Sequence, residues 1–232
     1  MSGEPDISVP GRALGDLARA RMVAALLGDR AMPAGDLARE AGVSASTASE
    51  HLRTLLDARL VHVEQRGRNR LYRLASSEVS RAVEALQGIA PLAEIQSLRA
   101  HRISRELRAG RTCYDHLAGD LGLRMTDLLV GAGAVGAPRI GEPAEPLEPF
   151  PQGPVVAALG IVPPSGRRPW VRGCLDWTGR RAHVAGQLGT QVLRTMDAQG
   201  WILRPPTGRA VRLTATGERA LTLLESATAR TQ

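Results

Sequence analysis

The 232-residue sequence contains no lysine, and aromatic residues make up only 3% of it. A hydrophobic core therefore has to be built from Leu, Val, Ala and Ile, which favour helices over a β-sandwich. All 30 basic side chains are arginine, which fits either phosphate recognition by guanidinium groups or a biased genomic base composition, and we favour the second explanation. The composition predicts a mainly helical protein.

Cysteine and long apolar segments are also scarce. The two cysteines, Cys113 and Cys174, are too few for a disulfide framework. The first residues, MSGEPDISVP, hold no apolar signal segment, and no run approaches the roughly 18 apolar residues of a membrane-spanning helix. We therefore expect a protein of the reducing cytoplasm that makes no membrane contact.

Acidic residues are outnumbered by basic ones, which gives a formal net charge of +7. Such a balance favours an anionic partner, although it says nothing about the fold. The densest basic stretch lies between Arg59 and Arg73, where five arginines accompany one acidic residue, Glu64. We expect the contact with an anionic partner to lie there.

The first 60 residues predict three helices. Residues 12–28 place apolar side chains at near-helical spacing and predict a first helix that ends at Gly28. Pro33 opens a second, short helix that ends at Gly42, and Ser44 is placed to cap a third, SASTASEHLRTLLDARL. Two short helices across a turn that contains glycine are typical of a helix-turn-helix.

The pattern then changes from helical to alternating in LVHVEQRGRNRLYRL. It predicts two strands, Val61 to Gln65 and Arg70 to Leu74, joined by a basic turn. A hairpin in this place is a wing. The predicted fold class is therefore mainly α with short β-hairpins, with a winged helix-turn-helix as the N-terminal domain.

A winged domain reads DNA by laying its second motif helix in the major groove, while the wing contacts the backbone or the minor groove. The candidate DNA-binding residues are Ser44, Ser46, Thr47, Ser49, Glu50, His51, Arg53, Arg66, Arg68 and Arg70. Several have plainer alternatives: Ser44 as a helix cap, Glu50 as a partner that holds Arg53, and His51 as a packed histidine. The wing arginines could likewise serve only to keep a sheet edge soluble.

From Ser76 to about Arg108 a long apolar stripe at helical spacing is interrupted by Pro91, which should break or kink the helix. A small winged domain cannot cover such a stripe with its own core. We therefore expect a homodimer. Its predicted seam comprises Leu14, Leu17, Ile95, Leu98 and Ile103.

The predicted domains are 1–108, for DNA binding and dimerisation, and 109–232, for sensing an effector. The second domain contains the segment 131–169, which carries nine of the fifteen prolines and should be loop, short strand or linker.

The rest of the second domain is predicted as helices and a hairpin. Residues 113–130 are interpreted as a helix pair and residues 182–199 as a helix. Residues 200–225 predict strand, turn, strand and a closing helix that starts near Thr214, which has the outline of a second winged-helix-like element.

A weak internal repeat relates CYDHLAGDLG to CLDW followed by HVAGQLG, and either duplication or coincidence explains it. The repeat places the two cysteines at equivalent positions. The candidate effector or metal residues are therefore Cys113, Asp115, His116, Cys174, Asp176 and His183. Cys113 and His116 at i and i+3 can share a helical face. Three tryptophans could instead wall an apolar pocket for an organic effector: Trp170, Trp177 and Trp201. The plainer alternative makes the cysteines and tryptophans core residues.

The stretch DLAREAGVSASTASEHLRTLLDARLV followed by RGRNRLYRL resembles the ArsR-type repressors, over about residues 12–105. The resemblance implies a dimer formed through the first and last helices and ligand-controlled release from an operator. Long members carry a tail similar to RTCYDHLAGDLG and CLDWTGRRAHVAGQLG. Metal-sensing members often have Cys-x-Cys in the helix written here GDLAREAG, or Asp and His ligands in the dimer helix. Neither is present, which argues against arsenic or zinc sensing at those sites, and no cofactor motif is recognised.

These observations predict a DNA-binding transcriptional regulator, interpreted as a repressor, that binds a palindromic operator as a dimer and answers to a small-molecule or metal effector. One alternative is an architectural protein that binds DNA without sequence preference. Another is a thiol enzyme with Cys113 as thiolate and His116 as base, but no oxyanion or cofactor motif accompanies them. We expect no enzymatic activity.

Overall fold

The structure is a computed structural model that describes residues 3–67, 69–91, 98–205 and 208–230, without the side chains of residues 99 and 100. The chain divides into two compact units, Met1–Glu84 and Ala85–Gln232, and each is described by itself. Among the described residues, no helix combines the length and the apolar character that crossing a bilayer requires.

The first unit consists of helices around a small antiparallel sheet. Its elements are α1 (Ser8–Leu14), α2 (Leu17–Ala25), β1 (Met32–Pro33), α3 (Ala34–Ala41), α4 (Ala45–Asp57), β2 (Val61–Arg66), β3 (Asn69–Leu74) and the first part of α5 (Ser77–Ile89). The strands are ordered β1-β3-β2, and the β2–β3 hairpin is the predicted wing. The core is apolar and includes Met22, Leu37, Leu52, Leu55 and Tyr72.

The helix-turn-helix is built as its capping residues dictate. Helix α3 ends at Gly42, whose φ of 74° lies in the left-handed region that glycine adopts without strain. Ser44 caps α4 by accepting a hydrogen bond from the backbone N–H of Thr47 at 3.2 Å. Both predicted helices and the predicted wing are confirmed.

The single helix predicted over residues 12–28 is wrong, because the structure contains two helices there. The chain turns at Gly15, and Asp16 caps α2 by accepting from the backbone N–H of Arg19 at 2.9 Å. The apolar spacing continues across the break, so periodicity alone did not show it.

In the part of the second unit that the structure describes, the rest of α5 is followed by five further helices and several short strand pairs. Its elements are α6 (Leu98–Ala109), β4 (Arg111–Cys113), β5 (His116–Ala118), α7 (Gly119–Gly131), β6 (Pro143–Ala144), α8 (Pro154–Ala158), β7 (Val171–Leu175), β8 (Ala182–Ala185), α9 (Gly186–Ala198), β9 (Ile202–Leu203), β10 (Arg212–Leu213) and α10 (Ala215–Ala229). Strands β6, β7 and β8 form one sheet, whereas β4–β5 and β9–β10 are two-stranded.

The division between the units lies nearer the N-terminus than the predicted boundary at residue 108. Helix α6, which the sequence assigned to the first domain, packs against β4 and α7 of the second unit. The predicted strand, turn, strand and helix at the end of the chain are present, and Thr214 caps α10 by accepting from the N–H of Gly217 at 3.0 Å. The interpretation of this segment as a second winged element stays a prediction.

The helix expected to carry Cys113 and His116 does not exist, because both residues lie in strands of a hairpin. Tyr114 and Asp115 form its two-residue turn, with Tyr114 in the left-handed region at φ 53°. This backbone conformation stops helix growth and makes Cys113 and His116 cross-strand partners. The helix predicted from residue 182 likewise begins with a strand, β8, and becomes helical only at Gly186.

The repeat seen in the sequence corresponds to two structural repeats, β4–β5–α7 and β7–β8–α9. Each hairpin leads directly into its helix at a glycine with positive φ, 75° at Gly119 and 82° at Gly186. A Cβ at Gly119 would lie 2.6 Å from the carbonyl oxygen of Arg108, and one at Gly186 would lie 2.7 Å from that of Trp170. The same conformation and the same close approach therefore explain the glycine in both HLAG and HVAG.

Candidate functional site

The outer face of α4 presents short polar side chains and one arginine. Ser46, Ser49, Glu50 and Arg53 are exposed, while the inner face is buried against the core through Leu52 and its neighbours. The hydroxyls are small, so a groove of DNA could approach this face closely. Packing of the inner face holds the helix in place without using the outer side chains.

Several of the candidate DNA-binding residues have structural partners in the first unit: the hydroxyl of Ser46 lies 2.9 Å from that of Ser44, and the hydroxyl of Ser49 donates to the carbonyl of Ala45 at 2.9 Å. Ser44 is the cap described above, and Thr47 is half-buried beside it. His51 is 17% exposed, and its Nδ1 lies 3.3 Å from Nη1 of Arg19 and 3.8 Å from Oδ1 of Asp16. His51 therefore adopts the packed role that the sequence left open.

The wing carries exposed arginines towards its tip. The side chain of Arg66 is 66% exposed and lies 3.9 Å from the carboxylate of Glu64, and Arg70 is also exposed. Arg68 lies outside the described residues. Arg73, at the base of the hairpin, donates to the carboxylates of Asp29 at 3.0 Å and Glu64 at 3.2 Å. The base is thus held by ion pairs, whereas Arg66 and Arg70 face solvent.

The residues of the predicted dimer seam are largely uncovered in the single chain. Leu98 is 90% exposed, Leu17 66% and Ile103 42%, while Leu14 is half-buried. Ile95 lies outside the described residues. Exposed leucines of this degree on helices are what a subunit interface requires, although isolated ones also occur on ordinary surfaces.

In the second unit, four of the six candidate effector residues meet at one point. Cys113 pairs across its hairpin with His116, and Cys174 pairs across the other hairpin with His183. The two Sγ atoms lie 3.7 Å apart, and the two Nε2 atoms lie 3.0 Å apart. One potential ligand atom from each residue lies within 4.8 Å of all the others. Cys113, His116 and His183 are buried and Cys174 is half-buried.

The remaining two candidates, Asp115 and Asp176, stand behind the histidines. Asp115 Oδ1 lies 3.5 Å from Nδ1 of His116, and Asp176 Oδ2 lies 3.4 Å from Nδ1 of His183. Asp176 is fully buried and accepts hydrogen bonds from the backbone N–H groups of Gly119 and Thr178, both at 2.7 Å. Each repeat therefore supplies a cysteine, a histidine and a carboxylate that contacts that histidine.

The surroundings favour the charged forms of three of these groups. Burial raises the pKa of Asp176, but the contact with His183, the charge of Arg111 and the N–H of Gly119 outweigh it and hold that pKa well below its usual value. Burial likewise raises the pKa of Asp115, but the hydrogen bonds and charges of His116 and Arg168 outweigh this effect. The pKa of Asp115 is therefore also well below its usual value. The Cys113 thiol, together with both imidazoles, lowers the pKa of Cys174 against the effect of burial.

Sequence reasoning missed the arginines that fix the two carboxylates. Arg111 is 1% exposed, and its Nη2 donates to Oδ2 of Asp176 at 3.0 Å, while its guanidinium lies 4.2 Å from the centre of the Trp177 ring. Arg168 forms a two-armed ion pair with Asp115, and the hydroxyl of Thr190 donates to the same carboxylate at 2.9 Å. Arg111 stands two residues before Cys113, as Arg172 does before Cys174, but nothing in that spacing marks a buried arginine.

The three tryptophans have core or stacking partners among the described residues. Trp170 and Trp201 belong to the core of the second unit, and Trp177 stacks on Arg111. Two cavities of this unit, of about 510 and 380 Å³, are lined by other described side chains. The structure thus gives the tryptophans the plainer, structural role.

Comparison with known proteins bears on both units. Residues 14–64 match the family model of a helix-turn-helix domain. Over 220 residues the chain is 39% identical to the HTH-type transcriptional regulator YdfF of Bacillus subtilis (strain 168), itself described as uncharacterized, and the match covers 93% of this chain and 95% of that protein.

Solved structures match the N-terminal part. CMTR of Mycobacterium tuberculosis, a cadmium metal-sensor, is 34% identical, with 39% of this chain and 94% of that chain covered and a TM-score of 0.33. A homodimeric winged helix-turn-helix domain of a possible ArsR-family regulator from Mycobacterium bovis is 26% identical, with 38% and 87% covered and a TM-score of 0.33.

Proposed function

The chain belongs to the HTH-type transcriptional regulators, and from that premise we propose that it is a repressor that binds a palindromic operator as a homodimer. In this proposal α4 lies in the major groove, with Ser46, Ser49 and Arg53 at base edges and phosphates. Arg66 and Arg70 on the wing contact the DNA backbone. Such a regulator works where the chromosome is, so we place it in the cytoplasm.

The observation that supports this proposal is that one face of α4 is buried in the core and the opposite face is exposed. Ala48, Leu52 and Leu55 are buried and fix the helix in the unit. Ser49 and Arg53 lie on the opposite, exposed face, at the i and i+4 spacing that puts two side chains side by side. A rigid helix with a small, polar, exposed face is suited to direct contact with bases.

The wing adds a contribution that does not depend on DNA sequence. Arginines that neutralise phosphates release counterions, so they strengthen binding to every duplex and make it sensitive to salt. Arg66 and Arg70 are exposed on the hairpin, whereas Arg73 is committed to Asp29 and Glu64. The proposal therefore assigns phosphate contacts to the first two and not to Arg73.

A dimer is proposed because a palindrome presents two equal half-sites to two equal subunits. Among the described residues of the predicted seam, Leu98 and Leu17 are the most exposed. Covering them with a second copy would remove this surface from water, which is the usual driving force for such interfaces.

We further propose that a ligand of the second unit controls DNA binding. A ligand acts in this way only if it binds one DNA-binding state more tightly than the other. No catalytic step is proposed for this unit, because Cys113 and His116 are each 4% exposed and a substrate could not reach the thiol.

The test begins with selection of a duplex from a random library, followed by fluorescence anisotropy on that duplex and on a scrambled one. Arg53→Ala should weaken binding to the selected duplex by roughly 1–3 kcal/mol and bring it closer to the scrambled one. Arg70→Ala should weaken both duplexes alike and lower the salt slope by about one. Arg219→Ala, which removes an exposed arginine from α10, is the charge-matched control and should leave both affinities unchanged. Wild-type affinity in both test variants would refute the assignment.

A further inference from the structure

We propose that Cys113, His116, Cys174 and His183 bind one divalent metal ion of the zinc type in a closed, four-coordinate site. The inference concerns ion binding by the second unit and does not depend on the proposed DNA-binding function. It assigns a ligand class to residues that lie far from the helix-turn-helix in the sequence.

The spacing of the four side chains is that of a tetrahedral site. With metal–sulfur distances near 2.3 Å and metal–nitrogen distances near 2.05 Å, the edges of the tetrahedron measure about 3.8 Å between sulfurs and about 3.3 Å between nitrogens. The structure has 3.7 Å between the Sγ atoms of Cys113 and Cys174 and 3.0 Å between the Nε2 atoms of His116 and His183. All four atoms also lie within 4.8 Å of one another. An ion therefore fits between them with only small shifts of the side chains.

The orientation of the imidazoles points to the same conclusion. In His116 and His183 the Nδ1 atom lies beside a carboxylate, at 3.5 and 3.4 Å, and the Nε2 atom faces the other histidine. A neutral imidazole has one N–H, and directing it to the carboxylate leaves a lone pair on Nε2. With both rings in this tautomer, the two Nε2 lone pairs lie 3.0 Å apart and can both be donated to a cation placed between them. Carboxylates behind histidines are also the usual outer shell of protein zinc sites.

The type of donor identifies the class of ion. Two sulfurs and two imidazole nitrogens suit Zn²⁺ and the softer Cd²⁺, whereas Mg²⁺ and Ca²⁺ prefer oxygen ligands. Two thiolates would balance the charge of a divalent ion and so remove most of the cost of burying it. Because the protein supplies four ligands, no coordination position is left for a substrate, and the site has the character of a structural centre.

Each hairpin alone brings only half of the ligands. β4–β5 supplies Cys113 and His116, and β7–β8 supplies Cys174 and His183, more than 60 positions later in the sequence. An ion bound by all four would tie the two repeats together. Its binding free energy would then stabilise the folded second unit, because the unfolded chain does not offer the assembled site.

The experiment uses the full-length protein, purified under reducing and anaerobic conditions without DNA. Its zinc content is measured by atomic emission, and the chelator-treated protein is titrated with Co²⁺ while the absorption spectrum is recorded. We expect one Zn²⁺ per chain and, with Co²⁺, thiolate charge-transfer bands together with intense visible bands of tetrahedral cobalt. We also expect Zn²⁺ to raise the melting temperature seen by tryptophan fluorescence, since all three tryptophans lie in the second unit.

Two variants assign the ligands. Cys174→Ser changes a half-buried residue conservatively and should remove the charge-transfer band contributed by that thiolate and weaken Co²⁺ binding at least tenfold. His101→Gln replaces an exposed histidine outside the cluster and should match the wild type. Circular dichroism of both variants reports whether they are folded.

The proposal is overturned if the reduced, folded wild-type protein takes up neither Zn²⁺ nor Co²⁺, or binds Co²⁺ without thiolate bands. Because no arm of the experiment contains DNA, a failure here leaves the proposed operator binding untouched. Loss of operator binding would equally leave the metal site standing.

Discussion

The two units of the chain are stabilised by different kinds of interior. The first has an apolar core, buries two polar side chains among its described residues, Ser80 and Glu84, and exposes arginines on α4 and on the wing. The second also has an apolar core, but among its described residues it buries Arg111, His116, Asp176 and His183. Apolar packing tolerates local change, whereas a buried polar cluster fails when one member loses its partner. In the first unit the apolar core therefore supports exposed side chains, whereas the second unit is organised around a buried polar cluster.

The largest effect is expected for Arg111→Met, which removes the buried arginine that pairs with Asp176. Removal of one partner of a buried ion pair costs about 3–5 kcal/mol, so we expect the second unit to lose unfolding free energy of that order. Tryptophan fluorescence during urea unfolding measures it, because the first unit has no tryptophan.

The control for this change is Arg124→Met. Arg124 also pairs with carboxylates, those of Glu218 and Glu225, but its side chain is 30% exposed and theirs are more so. Loss of a surface pair should cost about 1 kcal/mol or less. Equal losses of unfolding free energy in the two variants would mean that the buried pair of Arg111 and Asp176 contributes no more to stability than an exposed ion pair.

The converse change is Leu55→Ala in α4. Leu55 is fully buried in the first unit, and truncation of a buried leucine to alanine costs about 2–5 kcal/mol. We expect hydrogen exchange to speed up in α2, α3 and α4 and DNA binding to fall, while tryptophan fluorescence and zinc content stay as in the wild type. Loss of zinc in this variant would show that the two units do not act separately.

Acid should also destabilise the second unit. The pKa values of Asp115 and Asp176 are lowered in the folded protein, so the stability they contribute is present above their unfolded pKa, about 3.9, and is lost as the pH falls through the lower folded values. The fluorescence melting temperature of the metal-free second unit should therefore fall below about pH 4. Asp176→Asn should flatten this dependence, and a wild-type pH profile in that variant would contradict the argument.

The smallest effect is expected for Ser44→Ala, which removes the cap of α4. Loss of such a cap costs about 1 kcal/mol. The first unit should be destabilised by that amount in hydrogen-exchange measurements, with the second unit unaffected. A much larger loss of operator affinity than of stability would reassign Ser44 to direct contact with DNA.

The two units also differ in how much of their structure could be predicted from the sequence. In the first unit the decisive residues act on their neighbours: Gly42 ends one helix and Ser44 begins the next. The break at Gly15 was missed because the apolar spacing continues across it. In the second unit the strands around Cys113 and His183 are only three or four residues long, too short to show alternation, and their pairing depends on contacts distant in sequence.

The candidate site residues were likewise predictable where the signal lies in the sequence itself, and not where it depends on contacts distant in sequence. The repeated Cys-x-Asp pattern identified Cys113, Cys174 and the associated histidines without the correct local structure, because a repeat preserves equivalent positions whatever fold they adopt. Arg111 could not be found in this way, since its role depends on being buried against Asp176. Exposed residues on α4 were found from helical spacing, whereas the packing of His51 against Arg19 required the structure.

We propose that the first unit recognises a particular DNA sequence. This proposal is tested most directly by measuring the affinity of the wild-type protein, over a range of salt concentrations, for a selected palindromic duplex and for a random one. Specific recognition predicts binding at least about 10³-fold tighter to the selected duplex at physiological salt, with both affinities falling as salt rises. Equal affinities for the two duplexes at every salt concentration would contradict it and would indicate binding through phosphates alone.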